Sequence, residues 1–195
     1  MEIIIHKINS LKRLKKIPIK FGVEIDVRSY GSNIILNHEP QKNGTLLTHF
    51  LNEYHHGTII FNIKEAGIEN EVISSAKKFR IKKFFLLDVE HPFIITSPNK
   101  FKKYLSVRFS EFEPIELSNF FRKFVSWIWI DTVNKLPINK GNIKSIKNFK
   151  SCIVSPERWG RKNDIKNYIR FFKKYKFKPT SVMTDLNCSK IWENF

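Results

Sequence analysis

Glu24, Asp26 and His38, all within GVEIDVRSYGSNIILNHEP (22–40), have the types and spacing that chemistry can use. Glu24 and Asp26 stand two apart in an apolar run, so on a strand their carboxylates leave the same face. Two carboxylates that close repel each other, and either a divalent cation or a neighbouring Lys or Arg must offset them. Oxygen ligands of this kind suit Mg²⁺, Ca²⁺ or Mn²⁺ better than zinc. His38 closes a second apolar run, and His6 closes the run EIIIH near the N-terminus. Two imidazoles beside a carboxylate pair can exchange protons near neutral pH, although a histidine so placed can equally serve packing.

Elements must bring these residues together. Runs rich in β-branched and aromatic residues predict strands at 2–6, 21–27, 58–64, 83–88, 104–109, 127–131, 151–155 and 181–185. Between them INSLKRLKKI, TLLTHFLNEY, IENEVISSAKKFR, PIELSNFFRKF and NDIKNYIRFFKKYK carry helical periodicity, with Asn9 or Ser10 as the cap of the first. Shorter helices are expected near 96–103 and 142–149, and a short extended piece at 33–38 makes a hairpin-like excursion. Eight strands, each followed by a crossover, spell an α/β fold: a compact single-domain (β/α)8 TIM barrel over residues 1–195. The rival, an open doubly wound sheet, would show a Gly-rich phosphate loop after its first strand. With 7 glycines in the chain, none is present.

In a barrel, chemistry sits at the C-terminal ends of the strands. His6, Glu24 and Asp26, Asn62 and Lys64, Asp88, Arg108, Asp131, Glu157 and Asp185 all fall there, while mid-strand positions are almost entirely apolar. Asn62 and Asp88 extend the candidate metal set. Lys64, Arg108 and Lys7 are candidate phosphate contacts, and Asp131, Glu157 and Asp185 line the same substrate mouth. Cations converging with a metal and imidazoles favour a phosphate-bearing small molecule. Trp127 and Trp129 share a face and either wall a pocket or fill the barrel. His49, His55, His56 and His91 read as structural.

The net charge of +17 and pI near 9.9 admit nucleic acid, an anionic surface or a phosphorylated substrate as partner. The basic residues are dispersed along the chain (LKRLKK, AKKFRIKK, RFFKKYKFK), which reads as solvated helix faces. No nucleic-acid reading motif accompanies them, so a nucleic-acid module is disfavoured. FVSWIWI, the longest uncharged apolar run, falls far short of the roughly 20 residues that a membrane helix needs. MEIIIHK lacks the basic start and long apolar stretch of a secretory signal, so a cytoplasmic setting is the expectation. Cys152 and Cys188 are expected as reduced thiols.

Taken in order, these residues resemble the glycerophosphodiester phosphodiesterase family, a branch of the phospholipase-C-like phosphodiesterase barrels. IIIHK supplies the first-strand histidine, GVEIDVR the Glu-x-Asp pair, ILNHEP the downstream histidine, and IFNIKE the third-strand lysine. VSPERWG is similar to that family's seventh-strand Ser-Pro-Glu, and VMTD to its last strand end. The resemblance implies metal-dependent cleavage of a phosphodiester. His6 and His38 would be the acid/base pair, Glu24 and Asp26 the metal ligands, and Lys64 a phosphate contact. Lys7 and Ile8 stand where that family has Arg and Gly, and Asn62 stands where it has a third carboxylate. A catalytically silent barrel that binds a phosphorylated ligand is therefore the alternative.

Overall fold

The computed structural model describes residues 1–195, and its ten strands form one mixed sheet. The strands are β1 (Glu2–Ile5), β2 (Gly22–Tyr30), β3 (Asn33–Leu36), β4 (Thr45–Leu46) and β5 (Ile59–Ile63), followed by β6 (Phe84–Leu87), β7 (Ser106–Phe109), β8 (Trp127–Ile130), β9 (Lys150–Val154) and β10 (Ser181–Thr184). Helices α1 (Leu11–Leu14), α2 (Leu47–Asn52), α3 (Glu69–Lys78), α4 (His91–Thr96), α5 (Ile115–Phe121), α6 (Ile143–Ile146), α7 (Asp164–Lys174) and α8 (Ser189–Glu193) lie between or after them. Every predicted strand is present, and all but one lie within two residues of their expected bounds; β2 runs three residues past its expected end at 27, to Tyr30. Of the predicted helices, INSLKRLKKI shortens to the four residues of α1, and TLLTHFLNEY gives its first residues to β4, with α2 what remains.

β1, β2, β5 and β6 pair in parallel on one side of the ring, and β1, β10, β9, β8 and β7 on the other. This is the strand order of a TIM barrel. Strands β3 and β4 continue β2 as an antiparallel excursion, with Val27 opposite Leu36 and Ile35 opposite Leu46. The expected closed barrel needs one correction. β6 and β7 share no ladder, only the single bridge Leu86–Leu105, so the ring is left open as a sheet at that seam. The bridge joins Leu86 to Leu105, the residue before β7, so the two edges meet only at the start of β7, although β7 pairs along its whole length with β8. The buried Ser106 hydroxyl spans the seam by donating to the Leu86 carbonyl at 2.6 Å. Ser106→Ala should therefore lower stability by about 1 kcal/mol in urea denaturation, with hydrogen exchange rising at Leu105 and Ser106 first. An unchanged midpoint would show that the hydroxyl contributes nothing to the seam.

Two cores follow from strand alternation. Outward residues such as Val23, Ile25 and Val27 join helix residues including Phe50, Val72 and Phe172 in the layer between sheet and helices. Inward residues Ile4, Ile60, Phe85, Trp127, Trp129 and Met183 fill the ring itself. Trp127 stacks on Phe85 at 4.3 Å between centroids. Both tryptophans are core, and the ring interior is a packed plug rather than a channel. Cys152 and Cys188 are buried and unpaired. No helix is long and apolar enough to cross a membrane.

Candidate functional site

Because Val23, Ile25 and Val27 turn outward, Glu24 and Asp26 must turn into the ring, above the apolar plug. There they are 1% and 2% exposed, far below what an unpartnered carboxylate tolerates. Their partners come from the neighbouring strands. The Lys7 backbone N–H donates to Glu24 Oε2 at 2.7 Å, and the Asn62 amide donates to Glu24 Oε1 at 2.9 Å. Asn9 grips Asp26 twice: its side-chain amide donates to Oδ2, and its carbonyl accepts the Asp26 backbone N–H, both at 2.8 Å. Lys64 Nζ lies 3.3 Å from Asp26 Oδ1 and 3.9 Å from Asp88. His6 Nε2 stands 3.9 Å from Glu24 Oε2.

Two residues at this mouth hold left-handed backbone without being glycine: Lys7 at φ 56° and Asp88 at φ 58°. Asp88 directly follows β6 and Lys7 lies two residues after β1, and each turns the chain off the barrel. At Lys7 that turn aims the backbone N–H at Glu24. A side chain in this conformation costs on the order of 1 kcal/mol, a strain that the surrounding contacts hold in place.

Titration follows from the same packing. Burial and, next, the Asp26 charge push the Glu24 carboxyl up to about 7, against the opposing bonds from Asn62 and Lys7. His6 moves the other way, down to about 4, because burial and then the Arg158 guanidinium oppose its protonation. His6 is therefore neutral at pH 7 and able to accept a proton.

The remaining sequence candidates are placed as follows. Arg108 is gripped by Asp131 at 2.6 Å and by Asp88, with Glu113 at 3.7 Å. Its charge is already balanced. Asp88 thus pairs with Arg108 and Lys64 and makes no contact with Glu24 or Asp26. Asp131 also accepts from the Trp159 indole at 3.0 Å and from the Thr132 N–H at 2.9 Å. Glu157 accepts the Asp185 N–H at 3.0 Å and the hydroxyls of Ser155 and Thr184. These bonds fasten the chain after β9 to the end of β10. Asp185 holds Arg158 at 2.9 and 3.1 Å. His38 lies on the excursion, its side chain 48% exposed and its ring 2.8 Å from Glu39. No contact joins that ring to His6, Glu24 or Asp26.

Sequence reasoning passed over Asn9 and Arg158. Asn9 looked like a helix cap, but Ser10 is the cap, its hydroxyl accepting the Arg13 N–H. Arg158 follows Glu157 in SPERWG and approaches His6 Nε2 to 3.4 Å. Its place just beyond a strand end was the available signal.

Glu24, Asp26 and Asn62 could hold a divalent cation. Asn62 Oδ1 is buried without a hydrogen-bond partner, beside two carboxylates. All three offer hard oxygen atoms, and a cation would offset both the burial and the Asp26 repulsion that raise the Glu24 pKa. No cluster of three or more Asp, Glu, His or Cys side chains surrounds them, so a richer ligand cage is absent. Mg²⁺ commonly takes one or two carboxylates and completes its shell with water and substrate phosphate. The donor set fits an ion held in that way.

No family model matches the chain, and no curated protein matches it. Among solved structures, it is similar to a glycerophosphoryl diester phosphodiesterase from Parabacteroides distasonis, at a TM-score of 0.54 and 11% sequence identity. The match covers 93% of this chain and 81% of that one. At that identity the likeness shows a shared TIM-like fold.

Proposed function

We propose that the chain is a divalent-cation-dependent phosphoric diester hydrolase acting on a small phosphodiester: a glycerophosphodiester, or a phosphorylated sugar or lipid headgroup. The observation that carries this reading is the gathering of His6, Glu24, Asp26, Asn62 and Lys64 at one mouth, linked by contacts of 2.9 to 3.9 Å. The solved phosphodiesterase of similar fold supports the same reaction class. Hydrolysis adds water across one P–O bond, giving a phosphomonoester and an alcohol. His6, neutral and 21% exposed, takes the proton of the attacking water. His38, on the antiparallel excursion with its ring exposed, returns one to the departing alkoxide. Lys7 has no ion-pair partner, unlike Lys64, and is the mouth lysine available to a phosphate oxygen. Arg158 and Asn9 position His6 and Asp26. When bound, a divalent ion at Glu24, Asp26 and Asn62 supplies positive charge to the phosphoryl oxygens.

Asn62, in place of a third carboxylate, favours a second reading in which the barrel holds a phosphorylated ligand without cleaving it. Bis(p-nitrophenyl) phosphate and a panel of glycerophosphodiesters, assayed with Mg²⁺, Ca²⁺ and Mn²⁺, separate the two. Turnover that chelator abolishes and added cation restores supports the hydrolase. Absence of turnover on every substrate, with ligand binding retained, establishes the silent barrel instead.

A further inference from the structure

The barrel separates charge by end. Parallel strands all start at one face, so six of the segments that lead into them, 12–20, 76–83, 99–105, 121–126, 144–150 and 173–180, arrive together at the N-terminal end of the ring, where the segment before β5 (53–58) adds one acid, Glu53, and no Lys or Arg. The six carry 22 of the chain's 35 Lys and Arg and none of its 18 acids. Of these cations only Lys20 has an ion-pair partner, Glu193. At the opposite mouth Lys64, Arg108 and Arg158 are paired with carboxylates, while Lys7 is not. Dispersal in sequence thus becomes concentration in space. The favourable placement of cations at helix C-termini accounts for Lys77, Lys78, Lys173 and Lys174. It does not account for Lys82, Lys83 or Lys150, which lie beyond the helices.

The face is grooved. A depression of about 330 Å³ runs among Lys82, Lys83, Lys103 and Lys150. Through Lys150 it meets a second, of about 660 Å³, walled by Lys102, Arg122, Lys123 and Lys147. Through Lys82 and Lys83 it meets a third, of about 580 Å³, that reaches Arg80, His55 and His56. The acid nearest this track, Glu2, is engaged by the N–H and hydroxyl of Thr58. The rings along it are covered: Tyr104 stacks on Phe84 at 4.2 Å beneath Lys103, and Trp127 on Phe85 beneath Lys150. Lysine point charges without an open aromatic platform bind phosphates rather than read bases.

We propose that this N-terminal face binds the phosphate backbone of a nucleic-acid strand without sequence preference, on the end of the barrel opposite the candidate active site. A linked track of grooves suits a chain of phosphodiesters better than the plane of a bilayer. Ile19 and Phe120, exposed near the rim, are what a bilayer would use, so vesicles form the competing arm. The proposal stands whether or not the other mouth is catalytic.

The test is fluorescence anisotropy with labelled oligonucleotides of about 20 nucleotides and unrelated sequences, titrated from low to high salt. The variant K82E/K83E/K123E/K147E reverses four exposed lysines of the track, and K135E/K140E/K162E/K166E reverses four exposed lysines elsewhere, with the same net charge change. Wild type should bind unrelated sequences within a few-fold of one another. The track variant should bind at least roughly tenfold more weakly, with a log–log salt slope shallower by about 3, and the control should stay within about twofold. Circular dichroism verifies folding, and Lys→Gln at the same four positions serves if the reversals unfold. Equal weakening in both variants overturns the proposal. So does capture by phosphatidylglycerol vesicles without oligonucleotide binding, or the absence of oligonucleotide binding altogether.

Discussion

Replacing His6 by alanine should lower kcat/KM on a phosphodiester by roughly 10²- to 10⁴-fold, the usual worth of a positioned acid/base group. Its side-chain polar contacts are Glu24 at 3.9 Å and Arg158 at 3.4 Å, and without it Glu24 keeps its bonds from Lys7 and Asn62 and Arg158 keeps Asp185. Thermal stability should consequently stay close to wild type while activity collapses. Arg158→Gln distinguishes catalysis from mere crowding. Arg158 opposes protonation of His6, so removing it should move the acid limb of the pH–rate profile to higher pH without abolishing turnover. A His6→Ala protein with full activity would remove the histidine from the mechanism.

Replacing Glu24 by glutamine should abolish activity and, in chelator at pH 8, raise stability. The carboxyl titrates at about 7 in the folded protein against an ordinary 4.5. A folded-state pKa above the unfolded one means that the native state holds its proton more tightly. The contribution of this carboxyl to stability is therefore greatest below pH 4.5, falls as pH rises toward 7, and levels off above it. The accumulated cost is about 3 kcal/mol at 1.36 kcal/mol per unit. Glutamine carries no charge to bury. Its carbonyl can still accept the Lys7 N–H, and its amide can donate to the orphaned Asn62 Oδ1 once that amide turns over. The melting temperature should rise by several degrees at pH 8, at roughly 2–4 °C per kcal/mol for a chain of this size, and by nothing near pH 4. Saturating Mg²⁺ should close most of the gap by stabilising wild type alone. A variant less stable than wild type at pH 8 would show that the carboxylate is not strained. Function here would be maintained against stability, a familiar trade at active sites.

Much of this was legible in the sequence because strand parity and strand ends are local properties. WIWI and FFLL announce themselves as buried strands, and Glu24 and Asp26 at alternate positions could share only one face. The open seam between β6 and β7 was not legible, since pairing depends on how two distant edges approach. Nor was the state of Asp88, which looked like a spare ligand but meets Arg108 first. His38 shows the same limit. Its position after β3 was foreseen, while the partner of its ring, Glu39, is decided by side-chain direction on an exposed turn. Asn9 was hidden by the stronger local signal of a helix cap beside it. The basic segments were visible one at a time, and only the parallel topology shows that they share an end.

The central claim is that Glu24 and Asp26 form a divalent-cation clamp, and calorimetric titration of Mg²⁺ and Mn²⁺ into chelator-stripped protein tests it most directly. One site should appear, tighter in the presence of inorganic phosphate, and it should vanish in Glu24→Gln/Asp26→Asn with the fold intact. The absence of cation binding with and without phosphate, or binding unchanged in that double variant, would contradict it.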